Sequence, residues 1–101
     1  MKKIINGRKY DTETATKLGS YWNGYSTSDF HYLDEALYQK KNGEFFIFGD
    51  GGAMTKYAER DGDGYSGGTE IIPVSEEEAR DWAEWHLSAD KYEDIFGEVT
   101  E

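Results

Sequence analysis

The sequence predicts an α+β fold: an antiparallel β-sheet with an N-terminal hairpin and a short helix, and C-terminal helices packed on one face of the sheet. Two observations support it. Asn-Gly pairs at 6–7 and 42–43 separate apolar or alternating segments, as in β-hairpins. A segment with apolar residues at helical spacing follows the capping residue Ser75. At 101 residues, the chain is expected to form a single α+β domain over 1–101.

The N-terminal part is predicted to contain a hairpin, a helix and a loop. The hairpin covers residues 2–10, because its Asn-Gly pair accepts the positive φ angles of a two-residue turn. Asp11 is then expected to cap a short helix over 12–18, which Gly19 ends. Residues 20–31 mix turn formers with aromatic residues and predict a loop that its rings anchor to the core.

The clearest sheet signal follows. Segments 32–41 and 44–49 flank Asn42-Gly43 and predict a second hairpin, with the apolar run 45–48 as a central strand. The glycines of 49–52 are expected to break that strand.

Beyond these glycines, the sequence predicts a further strand, a loop and an edge strand. Residues 54–59 alternate as in a half-buried strand, and residues 60–68 form a glycine-rich loop. Residues 70–74 resume an extended course, in which Pro73 favours an edge or strand-end position.

The C-terminal part carries the strongest helix signal. Ser75 and Glu78 form a Ser-x-x-Glu capping box that opens a helix over 76–87. Its inward face is formed by Ala79, Trp82, Ala83 and Leu87. Ser88 is expected to start a last helical segment that Gly97 stops.

Composition excludes several classes of function. Sixteen aromatic residues argue against intrinsic disorder. The absence of cysteine excludes disulfides, thiolate zinc sites and iron–sulfur clusters, and no cofactor or metal is expected. A net charge of −10 disfavours direct binding to DNA or to an anionic membrane and favours a basic partner. No apolar run is long enough for a signal peptide or a membrane span, so a cytosolic protein is expected.

The acidic residues are concentrated at the C-terminus, where 75–101 holds ten acids against two bases. Glu77, Asp81 and Glu84 fall at i, i+4 and i+7, where like charges repel along one helix stripe. Such a row imitates successive phosphates of a nucleic acid. The alternative is a solvated face, stabilised by pairing of Arg80 with acids one turn away.

Catalytic and metal-binding signals are weak. His31 and His86 are the only histidines, and a general acid–base pair or a metal site would need them to meet in space. Residues 59–70 loosely match a calcium loop, but a strand with Pro73 follows instead of a helix, so a connecting loop is favoured. The glycine clusters lack the Gly-Lys-Ser/Thr ending of phosphate loops.

Several segments of the chain resemble small type II-A anti-CRISPR proteins carried by Firmicute phages and mobile elements. The resemblance is carried by the opening KKIINGRKYDTETA at 2–15, LYQKKNGEFF at 37–46, GDGG at 49–52, and the shorter matches at 66–68, 71–73, 78–79 and 82–84. It implies an α+β protein of the bacterial cytoplasm that binds the RNA-guided effector nuclease or its guide RNA complex. No catalytic residue carries over from it.

The acidic surface and the aromatic loop supply the candidate partner-binding residues. We expect the acidic surface to face an arginine-rich groove that normally takes guide RNA; its residues are Glu76, Glu77, Asp81, Glu84, Asp90, Glu93 and Asp94. The aromatic candidates are Tyr21, Trp22 and Tyr25. Two alternatives stay open. One is an enzyme that cleaves or truncates guide RNA with His31 and His86, and the other is a mobile-element domain that binds another basic protein.

Overall fold

The computed structural model describes residues 1–101 and contains eight strands and two helices. The strands are β1 (Lys2–Ile5), β2 (Arg8–Asp11), β3 (Thr16–Trp22), β4 (Leu33–Gln39), β5 (Phe45–Gly51), β6 (Glu59–Asp61), β7 (Gly64–Ser66) and β8 (Gly68–Val74). The helices are α1 (Glu76–His86) and α2 (Ala89–Phe96). The predicted α+β class, with antiparallel sheets, an N-terminal hairpin and C-terminal helices on the sheet, is confirmed.

A four-stranded antiparallel sheet in the order β3-β4-β5-β8 organises the molecule. The predicted central strand is confirmed, because β5 lies between β4 and β8 along its whole length. Pro73 lies on the edge strand β8, where its missing N–H costs no ladder hydrogen bond. The β4–β5 hairpin closes through Lys40 N, which donates to Glu44 O, and through Gly43 at φ 95°.

Each face of the sheet carries its own apolar cluster. On one face, the buried side chains of Leu37, Phe45 and Ile47 pack against Ala79, Trp82 and Ala83 of α1. On the other face, Tyr10 of the N-terminal hairpin packs edge-on against Phe46 at 5.6 Å and closes a cluster with Ile71. The sheet is therefore covered by helices on one face and, over part of the other face, by the hairpin.

The turn signal at Asn6-Gly7 and the cap signals of α1 and α2 appear in the structure. Asn6 and Gly7 take φ angles of 51° and 78° between β1 and β2. Ser75 and Glu78 form both hydrogen bonds of the capping box at the start of α1. Gly97 ends α2 at φ 91°. Neither helix has the length and apolar composition that a membrane span requires.

The helix predicted over 12–18 is wrong. Asp11 caps only a turn, through Glu13 N, and the chain then enters β3. Pairing with β4 stabilises β3. β3 also includes residues 20–22, the first part of the loop expected at 20–31. Gly19 lies within this strand instead of ending a helix, and a Cβ there would be 2.8 Å from Leu87 Cδ1.

Two further expectations for the middle of the chain are wrong. Residues 54–58 form turns instead of the predicted strand, whereas β5 does end within the glycine segment 49–52, at Gly51. The expected loop over 60–68 contains the small hairpin β6–β7, with Gly62 at φ 62° in its turn. The calcium-loop segment is thus largely a hairpin, and no group of three or more acidic or histidine side chains is placed to hold a metal ion.

We expect Gly49→Ala to lower the free energy of unfolding by at least about 2 kcal/mol, because an added Cβ would lie 1.9 Å from the Tyr57 ring carbon Cζ. Gly64→Ala is the matched control, since its Cβ would meet only Asp61 O at 4.0 Å. Urea denaturation of both variants measures the difference. Equal stability of the two variants would contradict the close packing of Tyr57 on β5.

The ion pairs of Glu44 should stabilise the fold by an amount that is lost at acid pH. Hydrogen bonds from Lys40 at 2.9 Å and Asn42 at 2.7 Å, with Arg8 nearby, lower its pKa from 4.5 to about 2. A carboxyl group with a lowered folded-state pKa stabilises the fold above its unfolded pKa and loses this contribution as the pH falls. We therefore expect the stability difference between wild type and Glu44→Gln to shrink between pH 4.5 and about 2. Chemical denaturation across this range measures it, with Glu101→Gln as the control; a constant difference would refute the prediction.

Candidate protein-binding surface

A buried carboxylate anchors α1 to the sheet. Glu35 of β4 is only 2% exposed, and its Oε1 accepts a hydrogen bond from Trp82 Nε1 of α1 at 2.9 Å. Its Oε2 accepts a hydrogen bond from Tyr57 OH and lies 2.7 Å from Lys56 Nζ. Gly49 is directly opposite Glu35 in the register and leaves the space that the Tyr57 ring fills. One carboxylate thus joins the sheet, the turn at 54–58 and α1.

The partners keep Glu35 charged. Burial by itself raises the pKa of Glu35, but hydrogen bonds from Lys56, Tyr57 and Trp82 outweigh burial and leave the pKa below its ordinary value. Burial, followed by the hydrogen bond to Glu35, raises the pKa of Tyr57. A charged carboxylate with both oxygens engaged is suited to holding elements together.

The structure gives the two histidines different neighbours. His86 stacks on Tyr21 at 4.0 Å and lies 5.1 Å from the Trp82 ring, and its burial lowers the pKa. His31 is exposed in the loop before β4, with its ring 6.0 Å from that of Tyr25. The described contacts do not join them in an acid–base pair.

The outward face of α1 carries the acidic stripe. Glu77, Asp81 and Glu84 are all exposed, and none takes part in a salt bridge. Beside them, the side chain of Trp85 is 85% exposed, one turn beyond Asp81. Sequence reasoning missed Trp85. Its signal was its place two positions after Ala83, about 200° around the helix, which puts it outside the inward stripe of Ala79, Trp82 and Ala83.

The ion pairs expected on α1 form only in part. Glu76 accepts from Arg80 at 3.1 Å, while the expected pairing of Arg80 with Glu84 is absent from the four salt bridges. Arg80 instead lies 4.7 Å above the Phe96 ring of α2. Its charge is therefore directed to the helix–helix contact, and the carboxylate of Glu84 stays unpaired.

The remaining acidic candidates lie on α2. Asp90 and Asp94 are exposed. Glu93 is half-buried and accepts a hydrogen bond from Val99 N at 3.2 Å, which holds the C-terminal segment against the helix. Asp90 and Asp94 thus remain available at the surface, whereas Glu93 has a structural contact.

The three aromatic candidates do not form one surface. Tyr21 is half-buried under α1 through its stacking on His86, and the next residue along β3, Trp22, points to the opposite face of the sheet. Trp22 is 58% exposed and donates to Tyr25 O at 2.8 Å. Trp22 therefore lies on the face of the sheet opposite to α1.

No family model, curated protein or solved structure matches the chain. The candidate surface is defined here by exposure, charge and hydrogen bonding. We call it the acidic α1 face and define it as Glu77, Asp81, Glu84 and Trp85.

We expect Trp82→Phe to lower the free energy of unfolding by about 2–3 kcal/mol, because it leaves Glu35 Oε1 buried without its donor and also removes packed volume. Trp85→Phe is the matched control and should stay within about 0.5 kcal/mol of wild type, since that side chain is exposed. Urea denaturation followed by far-UV circular dichroism compares them. A Trp82→Phe variant as stable as Trp85→Phe would show that Glu35 does not anchor α1.

Proposed function

We propose that this protein is an inhibitor of a type II RNA-guided effector nuclease that binds the enzyme stoichiometrically through the acidic α1 face. The observation that carries the proposal is the row of three unpaired carboxylates beside an exposed tryptophan on an anchored helix. The resemblance of the sequence to small anti-CRISPR proteins supports the choice of target. Such an inhibitor acts in the bacterial cytoplasm, where the nuclease assembles with its guide RNA.

Charge spacing makes the acidic α1 face suitable for a site that normally takes nucleic acid. Side chains three or four residues apart on a helix have Cβ atoms about 5–6 Å apart, a spacing comparable to that of phosphates along a strand. RNA-guided nucleases hold nucleic acid in positively charged channels. A protein with a net charge of −10 is attracted to such a channel over a long range, which speeds association.

Trp85 adds a short-range contact to this long-range attraction. Tryptophan and arginine are the residue types most enriched at binding hot spots, and an arginine stacks on an indole ring. Because Asp81 lies one turn before Trp85 on the same helix face, an arginine on the ring has a carboxylate within reach. The same face thus combines an apolar anchor with charge complementarity.

The anchoring of α1 lowers the cost of binding. The hydrogen bond from Trp82 to Glu35 fixes the rotation of the helix about its axis, and the capping box fixes its first turn. A surface that is already ordered loses less conformational entropy on association than a flexible segment does. This rigidity favours inhibition by occupancy.

We expect Glu77→Gln/Asp81→Asn/Glu84→Gln to raise the half-inhibitory concentration at least tenfold in a DNA-cleavage assay at physiological salt. Trp85→Ala should raise it several-fold, because a hot-spot side chain typically contributes more than about 1 kcal/mol. The matched control is Glu59→Gln/Asp61→Asn/Asp63→Asn, which removes three exposed charges from the β6–β7 hairpin and should stay within twofold of wild type.

The order of addition and the state of the guide RNA separate the alternatives. Inhibition only when the protein is added before guide RNA, with intact guide and a one-to-one end point, supports competition for the RNA groove. A shortened guide on a denaturing gel, produced by substoichiometric protein, would replace the proposal with a guide-cleaving enzyme. Full inhibition by the triple variant would exclude the acidic α1 face. No inhibition of several orthologous nucleases in either order would indicate another basic partner.

A further inference from the structure

A second exposed surface lies at one end of the sheet, where β3 and β5 end and β4 and β8 begin. Of nine exposed large apolar side chains in the protein, five belong to this end: Trp22, Tyr25, Phe30, Met54 and Tyr65. Backbone hydrogen bonds hold part of the group together, since Met54 N donates to Phe30 O at 2.9 Å. Exposed apolar groups gathered in one region are typical of an interaction surface.

A groove of about 460 Å³ lies within this surface, and both Phe30 and Tyr65 line it. We call it the Phe30–Tyr65 groove. Glycines allow its walls to approach closely: a Cβ at Gly52 would lie 2.5 Å from Phe30 O, and one at Gly67 would lie 2.7 Å from Gly51 O. The groove is thus formed by tightly packed backbone, with the two aromatic side chains 64% and 62% exposed.

The charged residues of the groove are all acidic. Asp29 and Asp50 line it, and no lysine or arginine does. Asp34 lies directly opposite Asp50 in the β4–β5 register, a like-charge arrangement that destabilises a sheet. Neither aspartate of this cross-strand pair belongs to a salt bridge, although Asp50 Oδ1 accepts a weak hydrogen bond from Thr69 at 3.3 Å. Lys17 of β3 lines an adjoining cavity with both aspartates but forms no salt bridge with either, so a cation bound directly to Asp50 would further offset the repulsion.

We infer that the Phe30–Tyr65 groove binds an arginine side chain of a partner protein, with the guanidinium paired to Asp50 and stacked on an aromatic ring of the groove. Arginine fits better than lysine, because its planar, weakly hydrated guanidinium pairs with a carboxylate and stacks on a ring at the same time. The inference goes beyond the proposed function, since it requires neither the nuclease nor the acidic α1 face.

An NMR titration of the full chain tests the inference. The probe is the blocked peptide acetyl-Gly-Arg-Gly-amide, compared with the same peptide carrying lysine or citrulline, in 150 mM salt. We expect saturable shifts of the Gly51, Gly67 and Thr69 amides with the arginine peptide. Affinity should be at least threefold lower for the lysine peptide, and binding of the uncharged citrulline peptide should be lost.

Variants distinguish the groove from general attraction to an acidic protein. Asp50→Asn and Tyr65→Ala should each weaken binding of the arginine peptide at least fivefold. The control Glu13→Gln removes one exposed charge outside both the groove and the acidic α1 face, and should change binding less than twofold. Both groove positions are exposed, and an unchanged amide spectrum away from the groove checks that each variant is folded. Equal binding of the lysine and arginine peptides, shifts confined to α1, or the absence of saturable shifts at the groove would overturn the inference.

Discussion

The buried carboxylate of Glu35 is the constraint on which the rest of the fold depends. A charge removed from water is costly unless it is paired and hydrogen-bonded. The compensating groups come from two segments distant in sequence, Lys56 and Tyr57 before β6 and Trp82 on α1. All three side chains must be in place for the carboxylate to be compensated. The ring of Tyr57 fits only because position 49 on β5 lacks a side chain. Strand pairing, turn conformation and helix docking are therefore determined jointly.

The same constraint decides what the protein displays. Because Trp82 must reach Glu35, the rotation of α1 about its axis is fixed, and the stripe formed by Glu77, Asp81 and Glu84 is turned to solvent with Trp85 beside it. If a helix docked only through interchangeable apolar contacts, its rotation about its axis would not be fixed in this way. The buried polar contact thus connects the interior of the protein to the charge pattern of its surface.

The distribution of basic residues strengthens that pattern. Each of the four salt bridges joins a lysine or arginine to an acid outside the acidic α1 face and the Phe30–Tyr65 groove: Arg8 and Lys40 pair with Glu44, Lys56 with Glu35, and Arg80 with Glu76. No salt bridge joins a cation of this chain to the acidic α1 face or to the aspartates of the Phe30–Tyr65 groove. The two surfaces differ in form, since one is a helix surface and the other a concave site with aromatic walls.

The sequence by itself determined the features that depend on a few neighbouring residues. The turn at Asn6, the capping box of Ser75 and the end of α2 at Gly97 follow from φ preferences and hydrogen bonds within one turn. Strand formation at 16–22 and at 50–51 was decided by tertiary structure, because pairing with a neighbouring strand outweighs local propensity. Tertiary structure also decided the hydrogen bonds of Glu35 and the outward position of Trp85. The Glu35–Trp82 contact spans 47 positions, so local sequence pattern could not reveal it.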